Sequence, residues 1–292
     1  MIHRIIQFPL TRIILGLIFI GVGSLIVVLP SSILLGLAVT ASPSTFRENV
    51  AVGVLLLIML LSYALYVRIV ERRPVSELAL GHLREVLVGL LIGTAIFSLI
   101  IGVLWLLGVY RVTGSNVWTA MFGAVWIGIF PGISEELMFR GVLHRILEES
   151  LGTWTALLIV SLFFGFAHIS NPGATVFSSV AIALEAGLML GMAYTLTRRL
   201  WLPMGLHAAW NFVQGGVYGV NVSGLTTPSW LNSTMTGPEL LSGGSFGAEA
   251  SLVSVGLCLG LFLIFLILAR RRGHIVQPFW VRRRIQKELG HG

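Results

Sequence analysis

Apolar residues run along the chain in long unbroken stretches, separated by short polar breaks. A helix needs about 20 residues to cross the hydrocarbon core of a bilayer. On that measure the pattern predicts about eight transmembrane helices, near residues 13–39, 50–68, 86–109, 117–147, 154–169, 174–197, 201–219 and 250–269. The expected fold is an all-α, polytopic membrane helix bundle. Residues 220–249 differ in character: rich in Gly, Ser, Thr and Asn and without a basic residue, they read as a flexible outer loop. No internal repeat is visible, so an inverted-repeat transporter gains no support.

Composition sharpens this picture. Of 292 residues, 56% are hydrophobic and 11% charged, whereas soluble domains average about 25% charged residues. Disorder, a disulfide scaffold and a cytosolic enzyme are therefore disfavoured. The single cysteine, Cys258, permits neither an internal disulfide nor a cysteine metal site. Aspartate is absent and lysine occurs once, at Lys287. Those gaps remove an aspartyl dyad, a Ser-His-Asp triad and a phosphate-binding GK[ST] loop.

The formal charge of +7 does not point to nucleic acid, because the arginines gather at the ends of apolar runs. Arg4, Arg12, Arg68, Arg72, Arg73, Arg84, Arg140, Arg145, Arg198, Arg199, Arg270–Arg272, Arg282–Arg284 and Lys287 fall on one predicted side, and only Arg47 and Arg111 on the other. The positive-inside rule then places both termini in the cytoplasm. The chain reads as a multi-pass integral membrane protein, of the plasma membrane in a bacterial host. Beyond Arg270, Phe279 and Trp280 stand between two arginine triplets, a pattern suited to anionic lipid headgroups.

Ionisable side chains are costly inside a bilayer and are kept mainly for pairing or function. The spans hold few: Glu135, Glu136, Arg140, His168, Glu185 and His207, with the amide Asn211. Glu136 and Arg140 are four apart, as are His207 and Asn211, so each pair shares a helix face. Glu135 points about 100° away from Glu136 around the helix, which leaves it free to face a cavity. Glu135 and His168 stand at nearly equal distance from a turn at Leu151-Gly152-Thr153, and antiparallel packing brings them to similar depth. His207 fits that depth less well. It lies about 10 Å into its span against about 24 Å for the other two. Glu185 supports the site or bonds to a neighbouring helix.

Three motifs then stand in register on successive spans: P-G-I-S-E-E-L-M-F-R-G at 131–141 (EExxxR), F-G-F-A-H at 164–168 (FxxxH) and L-W-L-P-M-G-L-H-A-A-W-N-F at 200–212 (HxxxN). Together they resemble the CPBP family, the CAAX prenyl endopeptidase type II and bacteriocin-processing intramembrane proteases also called Abi. The likeness covers about residues 117–213, and E-R-R-P-V at 71–75 looks like the family's upstream segment. It implies four regions. Residues 1–116 hold about three N-terminal spans, 117–219 a catalytic core of about four, 220–249 the outer polar loop, and 250–292 the last span with a basic cytoplasmic tail.

The resemblance implies hydrolysis of a peptide bond within the membrane, near the cytoplasmic face, in a lipidated (CAAX-like) or strongly apolar protein or peptide. Glu135 would activate water with His168 assisting, His207 and Asn211 would stabilise the oxyanion, and Glu136 with Arg140 would hold the site together. Donors aimed at a developing oxyanion supply the electrostatic part of such catalysis. Glu135, His168 and His207 also form a His₂Glu set suited to a catalytic zinc, while the same residues suit a metal-free glutamate mechanism. There is no HExxH. The rival readings are a non-catalytic scaffold or self-immunity protein keeping the fold and, third, a proton-coupled transporter using the acids and histidines as a relay.

Overall fold

The computed structural model describes residues 5–35 and 45–289. Arg4 and the predicted end of the first span, 36–39, lie outside the described residues. Helix α1 (Pro9–Leu35) packs on α2 (Phe46–Tyr66), which ends in a π-helical turn, Val67–Glu71. A third helix, α3 (Arg84–Leu106), leads to a short strand β1 (Tyr110–Ser115) and the 3-10 segment Trp118–Ala124. Helix α4 (Val125–Glu136) runs through a wide π-helical stretch, Leu137–His144, into α5 (Arg145–Ala167). Next come α6 (Val176–Ile182) and α7 (Leu188–Thr197), joined by the π-helical turn Ala183–Gly187. Helix α8 (Trp201–Phe212) closes with another, Val213–Val217. Strand β2 (Leu231–Met235), α9 (Glu239–Ser242), α10 (Leu252–Arg271) and α11 (Phe279–Leu289) complete the described chain.

Six helical stretches are long and apolar enough to cross a membrane, one of them the stretch Trp118–Ala167. That stretch turns back on itself at Gly152, whose φ of 79° breaks the helix at the expected turn. Dividing it there and adding residues 201–217 gives the eight rods of the predicted bundle. Their outer faces carry Ile14, Ile18, Leu25, Leu57, Leu91 and Ile264, all exposed, as a protein solvated by lipid requires. The protein is an integral, multi-pass membrane protein.

Charges gather at one end of the bundle. Arg12 reaches Glu71 (2.7 Å) and Glu149 (2.6 Å), Arg145 reaches the same two at 2.7 and 3.0 Å, and Arg73 bridges Glu71 and Glu77. Arg198 pairs with Glu148 and Arg199 with Glu85. The start of α1 and the start of α11 both reach Glu149 here, through Arg12 and Arg282. This is the end that the positive-inside rule assigns to the cytoplasm. Arg73 and the other arginines hold the Glu77 carboxyl below its usual range, overcoming the burial that pushes it up.

Two residues depart from their expected surroundings. His144 continues the fourth predicted helix toward its basic end, where the sequence suggests an interfacial place, but it is wholly buried, its ring against Tyr194 and its Nε2 3.3 Å from the Thr195 hydroxyl. Arg145 is buried too, inside the ion-pair network. The cause is the π-helical stretch Leu137–His144: a turn wider than 3.6 residues rotates everything after it.

At the opposite end, β1 and β2 pair antiparallel, from Tyr110↔Met235 to Ser115↔Leu231. Residues 220–250 are folded there, with Val220, Val222, Phe246, Ala248 and Ala250 buried. Asn171 donates to the Ser223 carbonyl and the Gly224 amide to that of Phe246. The composition suggests a flexible loop; the small and polar residues instead build a cap stitched to the helix ends by backbone hydrogen bonds.

Helices meet closely around the future site because glycines permit it. A Cβ on Gly89 or Gly93 would lie 2.4 Å from the Leu202 or Leu206 carbonyl of α8, and one on Gly128 2.4 Å from that of Ala208. Like Gly89/Gly93, the GxxxG pairs Gly128/Gly132 and Gly187/Gly191 pack against neighbours, whereas Gly256/Gly260 face open space. Gly165 is the tightest of these contacts, at 2.1 Å from the Ser179 carbonyl. Gly165→Ala is expected to wedge α5 from α6 and to destabilise the bundle by about 1–3 kcal/mol. Unfolding in mixed micelles measures the loss, which a substitution in the open Gly256 should not reproduce.

Candidate active site

A cavity of about 450 Å³ opens inside the bundle, within the range of small-ligand and substrate sites. Glu135, His168, Glu185, His207 and Asn211 all line it, so five predicted residues from four segments meet in one place. Glu136 and Arg140 lie behind its wall, fully buried.

Glu135 ends α4 as it enters the π-helical stretch, and His168 caps the far end of α5. Their side chains face each other, with Glu135 Oε2 4.0 Å from His168 Nε2. Neither atom bonds directly to the other, and Glu135 Oε2 has no hydrogen-bond partner in the protein although it is buried. The FxxxH spacing explains the imidazole's orientation. His168 Nδ1 lies 2.8 Å from the carbonyl of Phe164, one turn back. A carbonyl can only accept, so a proton belongs on Nδ1, and Nε2 is the ring nitrogen turned toward Glu135.

Glu136 takes a different role from its neighbour. Its Oε1 accepts from Arg140 Nη1 at 2.9 Å, as the four-residue spacing predicts, and also stands 2.9 Å from His207 Nδ1. Arg140 Nη2 donates to the Ala186 and Gly187 carbonyls at 2.9 and 3.3 Å, in the π-helical turn that carries Glu185. The guanidinium also lies 4.4 Å from the centre of the Phe164 ring. That ring neighbours His168 and His207, at 5.1 and 6.1 Å between centres. Phe164 is thus the hub of the site, touching cation and both imidazoles, a role its place in FxxxH did not disclose. Asn211 donates one amide hydrogen to the Ile127 carbonyl at 3.3 Å, and its side chain borders the cavity.

The depth differs from expectation. Trp154, under the Arg270 guanidinium, marks the basic end of α5. From Thr153 to His168 the helix climbs about 22 Å, most of a hydrocarbon core of about 30 Å. The cavity's far wall is the cap, through Val222, Ser223, Leu225 and Glu249. The site therefore stands nearer the cap than the basic end, and the expectation of a cavity near the cytoplasmic face is corrected. That expectation came from the family resemblance, whereas helix spacing already set Glu135 and His168 about 24 Å into their spans.

Sequence reading missed one acid altogether. Glu249 lies in the segment read as a loop, yet it is buried and lines the cavity. Its Oε1 accepts from the Ser223 amide at 2.5 Å. Burial pushes its carboxyl up, against the opposing pull of Ser223 and His168. The one available signal is its setting, G-A-E-A immediately before an apolar span.

A catalytic zinc would need three donors converging on one point. Among the described residues no three His, Cys, Asp or Glu side chains do so. Glu135 and His168 face each other, but His207 turns its Nδ1 to Glu136. The His₂Glu set that the sequence allows does not fit a metal in this arrangement, and no step below passes through one.

Comparison with known proteins is consistent with this geometry. Residues 116–213 match the family model described as "Type II CAAX prenyl endopeptidase Rce1-like". No curated protein and no solved structure matches the chain. The matched segment contains Glu135, Glu136, Arg140, His168, Glu185, His207 and Asn211. Over that segment the chain is similar to the type II CAAX prenyl endopeptidases.

Proposed function

We propose that the protein is an intramembrane endopeptidase that hydrolyses a peptide bond with water activated by Glu135. One observation carries the reading. Glu135 Oε2 and His168 Nε2 face each other at 4.0 Å, and in the tautomer with the ring proton on Nδ1 both of them are acceptors. Such a pair is satisfied by one molecule that donates two hydrogen bonds, and a water does so while keeping its lone pairs free. A water held this way loses a proton to Glu135 as it attacks a carbonyl carbon, with His168 fixing its direction.

The attacked carbonyl becomes an oxyanion that needs donors. Asn211 retains a second amide hydrogen, since only one is used on Ile127. His207, tethered to Glu136 through Nδ1, has Nε2 as its remaining polar atom; protonated on both nitrogens, it donates there to the oxyanion. The proton taken by Glu135 then passes to the leaving amine, which completes hydrolysis. Glu136 and Arg140 are positioning residues in this scheme.

The substrate is a protein or peptide with a lipidated or strongly apolar segment beside the scissile bond. The cavity is walled chiefly by Phe130, Met138, Phe164, Met189, Leu206 and Trp210, which suit such a segment. The test is cleavage by the full chain in proteoliposomes of a prenylated CAAX peptide and a panel of unmodified apolar peptides, read by mass spectrometry. Cleavage that is lost in His168→Ala and survives exhaustive chelation supports the reading. Equal cleavage by both proteins overturns the assignment of the site.

A further inference from the structure

Glu185 and Glu249 are not used by this mechanism, yet both border the same cavity. Glu185 is about as buried as a side chain can be, at 2% exposed, and its Oε2 has no hydrogen-bond partner. Glu249, at 3%, comes from the cap and lines the same cavity as Glu185. Among the described residues neither forms an ion pair. Every other acid buried near the bundle interior has a basic partner: Glu136 has Arg140, Glu77 has Arg73, Glu148 has Arg198. Two adjacent buried carboxyls with no cation are costly and invite one. Only the cavity can supply it.

We infer that Glu185 and Glu249 form an acidic subsite that binds a basic side chain of the substrate, a lysine or arginine within a few residues of the scissile bond. The inference rests on the endopeptidase reading above. The apolar stem of such a side chain lies along Met189 and Leu190, which flank Glu185 on the cavity wall, while its charged head reaches the carboxyls. Glu185 sits in the π-helical turn whose Ala186 and Gly187 carbonyls hold Arg140, so the subsite is fixed to the catalytic framework through the backbone. Glu249 is held through Ser223 on the cap. A substrate cation therefore ties the cap to the helices across the cavity.

Two measurements test this on the full chain in proteoliposomes. In the first, apolar peptides carry lysine or its uncharged counterpart norleucine at successive positions around the cleaved bond. At one position the lysine peptide should have a kcat/KM at least tenfold higher, and in Glu249→Gln or Glu185→Gln that ratio should fall to near one. In the second, octylguanidinium and octanol are compared as ligands by the shift in unfolding temperature, which needs no cleavage. Octylguanidinium alone should stabilise the wild type saturably, and the shift should vanish in either variant. Cleavage with no preference for lysine, or an octylguanidinium shift unchanged in both variants, overturns the subsite. If no peptide is cut while octylguanidinium binds as described, the endopeptidase reading fails and the cation site stands.

Discussion

Glu135→Gln is expected to lower kcat by about 10²–10⁴-fold, the contribution of a positioned general base, while leaving KM and the unfolding temperature close to wild type. The fold should not suffer, because Glu135 Oε2 has no hydrogen-bond partner in the protein and stands 4.0 Å from His168 Nε2. Its neutral amide keeps size and shape but cannot take a proton from water. Glu135→Asp is the more discriminating variant. One methylene shorter, it retains the charge but retreats from the 4.0 Å separation at which one water can bridge the two acceptors. Its kcat should fall nearly as far, and raising the pH should not restore it. Proteoliposome kinetics with whichever peptide is cut, beside thermal unfolding, decide the matter. Retention of more than a tenth of wild-type kcat by Glu135→Gln would assign the base elsewhere.

Much of this site was legible before any coordinates, and the reasons are geometric. Helical spacing determines which side chains share a face, so the pairing of Glu136 with Arg140 and the separate direction of Glu135 follow from adjacency alone. A turn at Gly152 determines depth, so Glu135 and His168 meet because each lies about 16 residues from it. What was not legible depends on contacts between distant segments. His207 was expected on one helix face with Asn211, and nothing in that spacing shows that its Nδ1 goes to Glu136, 71 residues away. No periodicity carries that information.

Two further misreadings have local causes. The π-helical stretch Leu137–His144 breaks the 3.6-residue period, so His144, which continuation of the helix toward its basic end places at the interface, is turned inward and buried. The cap was hidden by composition. Gly, Ser, Thr and Asn are the residues of flexible loops, but they are also the residues of tight turns, and here they turn the chain back over the cavity. With the cap went Glu249, and with Glu249 the acidic pairing that gives Glu185 its meaning. Three of the four π-helical segments border the site: after Glu136, around Glu185 and after Phe212. Wide turns release carbonyls that an α-helix would consume, and Arg140 uses two of them.

Arg140 is the residue on which stability should depend most. It is wholly buried, makes three hydrogen bonds to two segments and lies against the Phe164 ring. Arg140→Ala breaks the buried pair and leaves His207 as the only remaining partner of the Glu136 carboxylate, and removing one member of a buried pair typically destabilises by about 3–5 kcal/mol. The Ala186 and Gly187 carbonyls lose their donor at the same time. Arg140→Lys keeps the charge, but a compact ammonium cannot reach Glu136 and both carbonyls from one point or lie flat on Phe164. It should recover part of the stability and little of the activity, because the turn carrying Glu185 is then no longer tied to α4. Adding Glu136→Gln to Arg140→Ala removes the stranded charge and should restore a good part of the lost stability, with activity still absent. Without the carboxylate His207 Nδ1 loses the partner that orients its ring. Unfolding free energies of the single and double variants in mixed micelles, set against kcat, separate the two roles. If the double variant is no more stable than Arg140→Ala, the cost lies in the lost carbonyl bonds and packing, and Glu136 is not the charge that Arg140 holds in place.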